Sequence, residues 1–115
     1  MKLNKQIPIN EIYKQILSFD KWLELKSYHS KIVNEAVVIT SAFEKRIFRN
    51  GQIATCSITF IYHEECIDAY ILTSGGGKTA FDVSDNINRS FYEKMIECLM
   101  SIGFIREVDD IFDMK

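Results

Sequence analysis

The stretch that divides the chain is Ala69-Tyr70-Ile71-Leu72-Thr73-Ser74-Gly75-Gly76-Gly77-Lys78-Thr79. Its apolar half leads into three consecutive glycines, which lack Cβ and therefore permit positive φ angles and a close approach of the backbone to another group. The residues before this stretch have the pattern of a sheet, and the residues after it lead into one long helix. The stretch therefore predicts the end of a sheet and the first place to look for a binding site.

Two strands joined by a tight turn precede the glycines. Ala36–Phe48 is dense in β-branched and aromatic residues, and Ile53–Tyr62 alternates apolar with hydroxyl-bearing side chains. Between them, Arg49-Asn50-Gly51-Gln52 contains the Asn-Gly pair that type I′ turns prefer, because both central residues need positive φ. The alternation predicts an antiparallel sheet covered on one face, with a hydroxyl-rich face against water or another protein. The hydroxyl-bearing residues of the second strand are Thr55, Ser57 and Thr59.

Two further segments are candidates for the same sheet. Cys66–Thr73 runs into the glycines after a tight polar connection, His63-Glu64-Glu65. Lys21–Tyr28 also alternates, as a strand does, but its Leu, Lys and Glu residues are good helix formers. The pattern alone leaves strand and helix open for this segment.

The spacing of apolar residues predicts two helices. The first runs from Asn10, a suitable N-cap, to Phe19. The second runs from about Asn86 to Ile102, with Gly103 as its C′ residue, and the preceding Ala80–Val83 is expected to be a short extended piece or loop. Because its apolar surface forms two stripes, we expect the second helix to pack on the sheet and on a neighbouring subunit.

Length and charge limit the class of protein. The 115 residues suffice for a single α+β domain, residues 1–115, with a continuous core and no metal or disulfide staples. A net charge of −2 and a pI of about 5.7 exclude a whole-molecule field that would recruit nucleic acid or an anionic membrane. The tail, residues 104–115, is acidic and partly apolar, so we expect it to dock within the subunit or across a dimer.

The location of the protein follows from two patterns. No apolar signal region follows Met1, and the longest uncharged apolar stretch is far shorter than the roughly 20 residues of a spanning helix. The cysteines are odd in number and widely spaced, which is typical of reduced thiols. We therefore expect a cytoplasmic protein without a membrane partner, and the richness in Ile, Lys and Asn is typical of an AT-rich bacterial genome. The three cysteines are Cys56, Cys66 and Cys98.

The glycine segment is the first candidate site. Gly77-Lys78-Thr79 resembles the end of a phosphate-binding P-loop, but Leu72 stands where the first glycine should be, and no helix is expected to start at Lys78. A looser anion site is compatible with the glycine amides, a lysine, a hydroxyl and one further cation. The other interpretation is a purely structural strand end. The candidate ligand-binding residues are Ser74, Gly75, Gly76, Gly77, Lys78, Thr79 and Arg89.

Metal and catalytic sites have weaker support. His63-Glu64-Glu65-Cys66 contains ligand types, but it lacks the His-Glu-x-x-His spacing, and His29 lies in another segment. A polar hairpin turn explains the same residues. Cys56 and Cys98 lie on apolar faces and are interpreted as small core residues, whereas Cys66 near His63 is the more accessible thiol. The sequence therefore predicts no metal, no cofactor and no catalytic residue.

A basic and aromatic cluster suggests nucleic-acid binding. Lys45, Arg46 and Arg49 are interleaved with Phe43 and Phe48. Charged residues also protect edge strands from unwanted pairing, and this cluster could equally face the acidic tail of a partner subunit. Because the chain as a whole is acidic, nucleic acid is the least favoured partner.

The order of motifs resembles a family of small bacterial proteins of unknown function. The motifs are Phe43-Glu44-Lys45, Arg49-Asn50, the strand Ala54–Ile61, Ala69-Tyr70-Ile71, and Ser74-Gly75-Gly76-Gly77 before a closing amphipathic helix. The resemblance covers about residues 10–104. It implies an N-terminal helix, a run of antiparallel strands and a C-terminal helix, and it therefore favours a strand for Lys21–Tyr28. It implies no activity and no catalytic residue.

We predict a two-layer α+β domain with an antiparallel sheet of about four strands in the order α-β-β-β-β-α, and with both helices packed on one face. The expected function is a non-catalytic binding or protein-interaction module that forms a homodimer, with the glycine segment, Lys78 and Thr79 as its contact site. The alternative is a small sensor or enzyme that binds a phosphorylated, anionic ligand at the same segment. A third possibility is nucleic-acid binding through Lys45, Arg46 and Arg49.

Overall fold

The computed structural model describes residues 1–47, 52–74 and 81–107. The described parts contain five strands and two helices, which confirms the α+β class. In chain order they are β1 (Lys2–Leu3), α1 (Ile9–Phe19), β2 (Leu23–Val33), β3 (Ala36–Ile47), β4 (Gln52–Tyr62), β5 (Ile67–Ser74) and α2 (Phe81–Ile102).

The strands form one antiparallel sheet in the order β1-β5-β4-β3-β2. The described residues thus have five strands, where the sequence predicted about four. The additional strand, β1, pairs Lys2 with Asp68 and Leu3 with Ile67. A strand of two residues is too short to show a period, and its conformation depends on pairing with a distant part of the chain. Local sequence therefore could not reveal it.

Lys21–Tyr28, the segment for which the pattern left strand and helix open, lies mostly in strand β2, which continues to Val33. A register shift between Leu25 and Ser27 marks a β-bulge. The bulge changes which residues face the core beyond Leu25. The sequence left strand and helix open because its Leu, Lys and Glu residues also favour a helix. A two-residue turn follows, in which Asn34 has a φ of 57°, a conformation that asparagine tolerates well.

Both helices begin earlier than the sequence predicted. Helix α1 begins at Ile9, and the Glu11 and Ile12 amides donate to the Pro8 carbonyl, so Asn10 lies inside the first turn and is not the N-cap. Helix α2 begins at Phe81, so the expected extended piece at Ala80–Val83 is wrong for its last three residues. Polar residues that resemble caps also suit the first turn of a helix, where exposed amides favour them.

The C-terminal end of α2 is as predicted. Gly103 has a φ of +126°, and its amide donates to the Met100 carbonyl at 3.0 Å. The Phe104 amide donates to the Leu99 carbonyl at 3.0 Å, which completes a Schellman motif. Phe104 is buried, and Ile105 pairs with Lys2, so the first residues of the predicted tail dock within the chain.

The core combines residues of both helices with alternate residues of the strands. The ring of Tyr13 on α1 lies 6.0 Å from the Phe43 ring on β3 and 6.4 Å from the Phe60 ring on β4, in edge-to-face geometry. Tyr13 also hydrogen-bonds to the buried hydroxyl of Ser41. The largest fully buried apolar side chains are those of Ile12, Ile16, Phe43, Cys56, Ile58, Phe60, Ile67, Met95, Cys98 and Leu99.

Candidate interaction surface

One face of the central strands is exposed, and we call it the open face. On β4 the residues Ala54, Cys56, Ile58 and Phe60 are buried, whereas Thr55 between them is exposed. This alternation confirms the predicted division into an apolar and a hydroxyl-rich face. The open face consists of Val38, Thr40, Ala42, Glu44, Arg46, Ile53, Thr55, Ser57, Thr59, Ile61, Asp68, Tyr70, Leu72 and Ser74.

Strand register arranges the open face in rows. One row contains Thr40, Thr59 and Tyr70, and the next contains Ala42, Ser57 and Leu72. The middle residues of the two rows, Thr59 and Ser57, have small side chains. At the β5 end of the rows, the large residues Tyr70 and Leu72 are 58% and 73% exposed. The open face is therefore a hydroxyl-rich surface with the large side chains of Tyr70 and Leu72 along one side.

The predicted glycine site is only partly within the described residues. Ser74 lies on the open face, where its hydroxyl is 3.0 Å from the hydroxyl of Thr55. Arg89 is exposed on α2. The remaining members of the predicted site, Gly75, Gly76, Gly77, Lys78 and Thr79, lie outside the described residues. The anion site therefore stays a prediction.

The structure separates the two described members of the basic cluster, Lys45 and Arg46. Lys45 and Arg46 are consecutive on β3, so their side chains project to opposite sides of the sheet. The Lys45 ammonium lies 2.7 Å from a carboxylate oxygen of Asp20, which is buried. Arg49 lies outside the described residues. Arg46 lines a shallow depression of about 260 Å³ with mixed charge, whose other residues are Trp22, Glu24, Lys26, Glu44 and Ile53.

The thiols Cys56 and Cys98 are buried in the core, as predicted. Burial, together with a smaller contribution from a neighbouring ionisable group, raises the pKa of Cys56 to about 12 and the pKa of Cys98 to about 11. A thiol with so high a pKa remains protonated at neutral pH and is a poor nucleophile. These two cysteines are therefore structural.

The turn residue His63 has its own partner. Its Nε2 lies 2.8 Å from a carboxylate oxygen of Asp68, and its backbone amide donates to the Cys66 carbonyl at 2.9 Å. Cys66 is half-buried. Among the described residues, no group of three His, Cys, Asp or Glu side chains could hold a metal ion. The polar hairpin interpretation thus accounts for this segment.

A cleft of about 710 Å³ lies between the start of α1, the turn from β2 to β3 and the end of β4. Hydrogen bonds from the Tyr62 hydroxyl to the Ile7 carbonyl at 2.6 Å and from Gln6 Nε2 to the His63 carbonyl at 3.2 Å hold the segment before α1 against the end of β4. Apolar side chains and the acidic Glu35 and Glu64 line the cleft. Sequence reasoning missed it, because its walls are distant in the chain.

Within the described residues, the two edges of the sheet differ, and we call the edge formed by β2 the open edge. At the β1 edge, the Lys2 amide donates to the Ile105 carbonyl at 3.0 Å, and the Ile105 amide donates to the Lys2 carbonyl at 2.7 Å. At the opposite edge, β2 pairs only with β3 within the part of the chain that the structure describes. The outer strand β2 also exposes three large apolar side chains, Tyr28 at 62%, Ile32 at 73% and Val33 at 45%.

Comparison with known proteins identified no relative of this chain. No protein family, curated protein or solved structure gives a significant match to the chain. The family resemblance drawn from the order of motifs therefore stays a prediction. In the described residues, neither helix is both long and apolar enough to cross a membrane.

Proposed function

We propose that the protein is a non-catalytic binding module that recognises a partner protein through its open face. The supporting observation is that Tyr70 and Leu72 stand side by side on β5 with more than half of each side chain in water. Transferring a leucine from water to a packed interface contributes about 1.5–3 kcal/mol. Tyrosine is among the residues that most often dominate binding energy at interfaces, because it combines a large apolar ring with a polar hydroxyl.

The small side chains beside these two residues suit the same function. Thr40, Thr59 and Ser57 provide a surface on which a partner can approach the sheet closely. Their hydroxyls can donate and accept hydrogen bonds, so they retain partners when water is displaced. An interface of this kind combines large apolar side chains with neighbouring hydroxyl groups, and such a combination of apolar and polar contacts is typical of protein recognition.

We further propose that both helices pack on the other face of the sheet. Ring contacts of Tyr13 with Phe43 and Phe60 support this arrangement for α1. For α2, the supporting observation is that Met95 and Leu99 belong to the same core cluster as those rings. With both helices on one side, the sheet is a rigid support and its open face is free for a partner.

The test combines crosslinking with a matched pair of variants. A photoreactive residue at position 72 is expected to crosslink one protein in the cells that make this chain, and the same residue at position 100 is not. Met100 is a suitable control because it is also an exposed apolar residue, but it lies on α2. Leu72→Asp should then weaken binding of the purified partner at least tenfold by calorimetry, whereas Met100→Asp should leave Kd within about twofold.

Two results would contradict the proposal. One is a partner that crosslinks equally from positions 72 and 100. The other is a purified partner whose affinity is the same for Leu72→Asp and for the unchanged protein. Circular dichroism of each variant verifies that loss of binding is not loss of folding.

The alternative function, binding of a small phosphorylated ligand, has one observation in its favour. The glycine segment stands between Ser74, the last residue of β5, and Phe81, the first residue of α2. The amides at the start of a helix favour anions, so a glycine-rich segment before a helix suits a phosphate. Native mass spectrometry of protein purified from its own host would then show a mass excess. Lys78→Ala should abolish that excess, and Lys14→Ala, a change at an exposed lysine of α1, should retain it.

A further inference from the structure

We propose that two copies of the chain associate through antiparallel pairing of their β2 strands, which joins the two sheets into one sheet of ten strands. The strand that pairs with the open edge is thus β2 of a second copy of the chain. It concerns a different surface from the open face, so it goes beyond the proposed function and does not depend on it.

The two edges of the sheet differ in how they are protected. The β1 edge is covered in part, since β1 pairs with Ile67 and Asp68 of β5, and Ile105 pairs with Lys2 through two hydrogen bonds. Strand β2 is 11 residues long and pairs only with β3 within the described parts of the chain. An edge strand of this length presents a row of unpaired amides and carbonyls, which can accept a further strand. The bulge near Leu25 interrupts only the start of β2, so residues 27–33 are available for continuous pairing.

The exposed side chains of β2 indicate the partner. Tyr28 and Ile32 pair with Ser41 and Val37 of β3, and both lie on the same side of the sheet as the buried Ser41. The ring of Tyr28 lies 6.0 Å from the ring of Tyr13, so one side of it already has a neighbour. Ile32 remains 73% exposed. These two residues are four positions apart, with Ser30 midway between them.

This spacing makes the strand self-complementary. When Ser30 is opposite Ser30 of the partner subunit, Tyr28 is opposite Ile32 of the partner subunit, and the same pair occurs a second time by symmetry. Aromatic and β-branched side chains in directly opposed positions stabilise antiparallel strands. An interface in which the same patch serves both subunits is the requirement of a two-fold dimer.

Other registers lack these pairs. A register centred on Lys31 sets two lysines directly opposite each other, which is unfavourable. A register centred on His29 sets Ile32 opposite Lys26 of the partner subunit, at the bulge. In the register centred on Ser30, Lys31 is opposite His29 of the partner subunit, and Tyr28 and Ile32 are opposite each other across the two subunits.

The geometry of the dimer has a further consequence. A two-fold axis perpendicular to the sheet keeps equivalent faces of the two subunits on the same side. The two open faces then form one surface with two copies of Tyr70 and Leu72. If the proposed function is correct, the dimer can bind two partner molecules, or one partner with two equivalent sites, with increased avidity.

The first test measures the oligomeric state of the full chain by sedimentation equilibrium at several concentrations. We expect a dimer for the unchanged protein and a monomer for Ile32→Lys. Leu72→Lys is the matched control, because Leu72 is also 73% exposed but lies on the open face, and it should remain dimeric. A monomeric unchanged protein at all concentrations would overturn the proposal. So would a dimer that Leu72→Lys dissociates and Ile32→Lys does not.

The second test establishes the register by adding one cysteine at a time to a Cys66→Ser background, in which the remaining Cys56 and Cys98 are buried. Under mild oxidation, Ser30→Cys should form a disulfide-linked dimer, because only residue 30 lies opposite its own copy, and Ser27→Cys should not. A crosslink through His29→Cys or Lys31→Cys in preference to Ser30→Cys would overturn the proposed register. These outcomes are separate from the proposed function, which is tested by partner binding to Leu72 variants.

Discussion

The ammonium group of Lys45 and the carboxylate of Asp20 lie 2.7 Å apart, where the end of α1 meets the sheet. Asp20 Oδ1 also accepts a hydrogen bond from the Trp22 amide at 3.0 Å, and the Asp20 carbonyl accepts one from the Leu23 amide at 3.1 Å. Asp20 thus directs the chain from α1 into β2, and Lys45 fixes this junction to β3. The pair explains why a charged residue is buried at this position.

Removal of Lys45 should destabilise the fold, because the carboxylate of Asp20 then loses its charged partner. We expect Lys45→Met to lower the free energy of unfolding by about 1–3 kcal/mol, measured by urea denaturation. Lys26→Met is the matched control, since Lys26 pairs with Glu24 at 3.1 Å on the surface. Exposed pairs contribute about 0–1 kcal/mol, so the control should change little. Equal effects of both variants would contradict this role of Lys45.

Acid should weaken the fold through Asp20. Burial, the largest influence on this carboxyl, raises its pKa, but the hydrogen bonds from Lys45 and Trp22 and the charges of Lys45 and Lys94 outweigh burial, so the pKa is lowered. The stabilisation is then fully present above the unfolded-state pKa of about 3.9 and is lost as the pH falls through the lower folded-state pKa. In urea titrations at pH 7 and pH 3, the unchanged protein should lose more stability than Asp20→Asn. An equal loss would show that other carboxyls cause the acid sensitivity.

The buried hydrogen bond between Tyr13 and Ser41 should show coupling in a double-mutant cycle. Tyr13→Phe or Ser41→Ala alone leaves one buried hydroxyl without its partner, which costs about 1–3 kcal/mol. The double variant has neither hydroxyl, so its loss of stability should be smaller than the sum of the two single losses. Thr55→Ala and Ser74→Ala remove an exposed hydroxyl pair and should be nearly additive. Additive losses at Tyr13 and Ser41 would contradict the expected coupling.

The three thiols should differ in reactivity. Cys66 is half-buried, whereas Cys56 and Cys98 are buried and have pKa values raised to about 12 and about 11 by burial. At pH 8, iodoacetamide should therefore add one group rapidly, and peptide mass spectrometry should locate it at Cys66. Urea-unfolded protein should add three groups. Rapid modification of Cys56 or Cys98 in the native protein would show that the core opens at this position.

Local patterns predicted the elements that depend on neighbours in sequence. The alternation of Ile53–Tyr62 correctly predicted a strand with a buried and a hydroxyl-rich face, because side chains of a strand alternate whatever its partners are. In β2 the alternation was also present, but its Leu, Lys and Glu residues favour a helix as well, so local pattern left the choice open. The start of α2 at Phe81 was not predicted, because Ser84 and Asp85, which lie inside the helix, are residue types that also serve as N-caps.

The candidate surfaces were predicted less completely for a different reason. Thr55, Ser57 and Thr59 marked the open face, since alternation alone identifies it. The open edge at β2 depends on the strand order of the whole sheet, which no local pattern contains. Likewise, Lys45 was interpreted as part of a basic cluster with Arg46, because its partner Asp20 is distant in the chain.

The position of β1 between β5 and Ile105 has a consequence for the order of folding. Strands β2 to β5 are consecutive neighbours, so each pairs with the strand made just before it, whereas β1 requires contacts with parts of the chain made much later. Because closing long loops costs entropy before it yields contacts, the four-strand meander should form first. We therefore expect φ-values near zero for Leu3→Ala and substantially larger ones for changes at Phe60. Of the five described strands, the one that is synthesised first would then be the last to join the sheet.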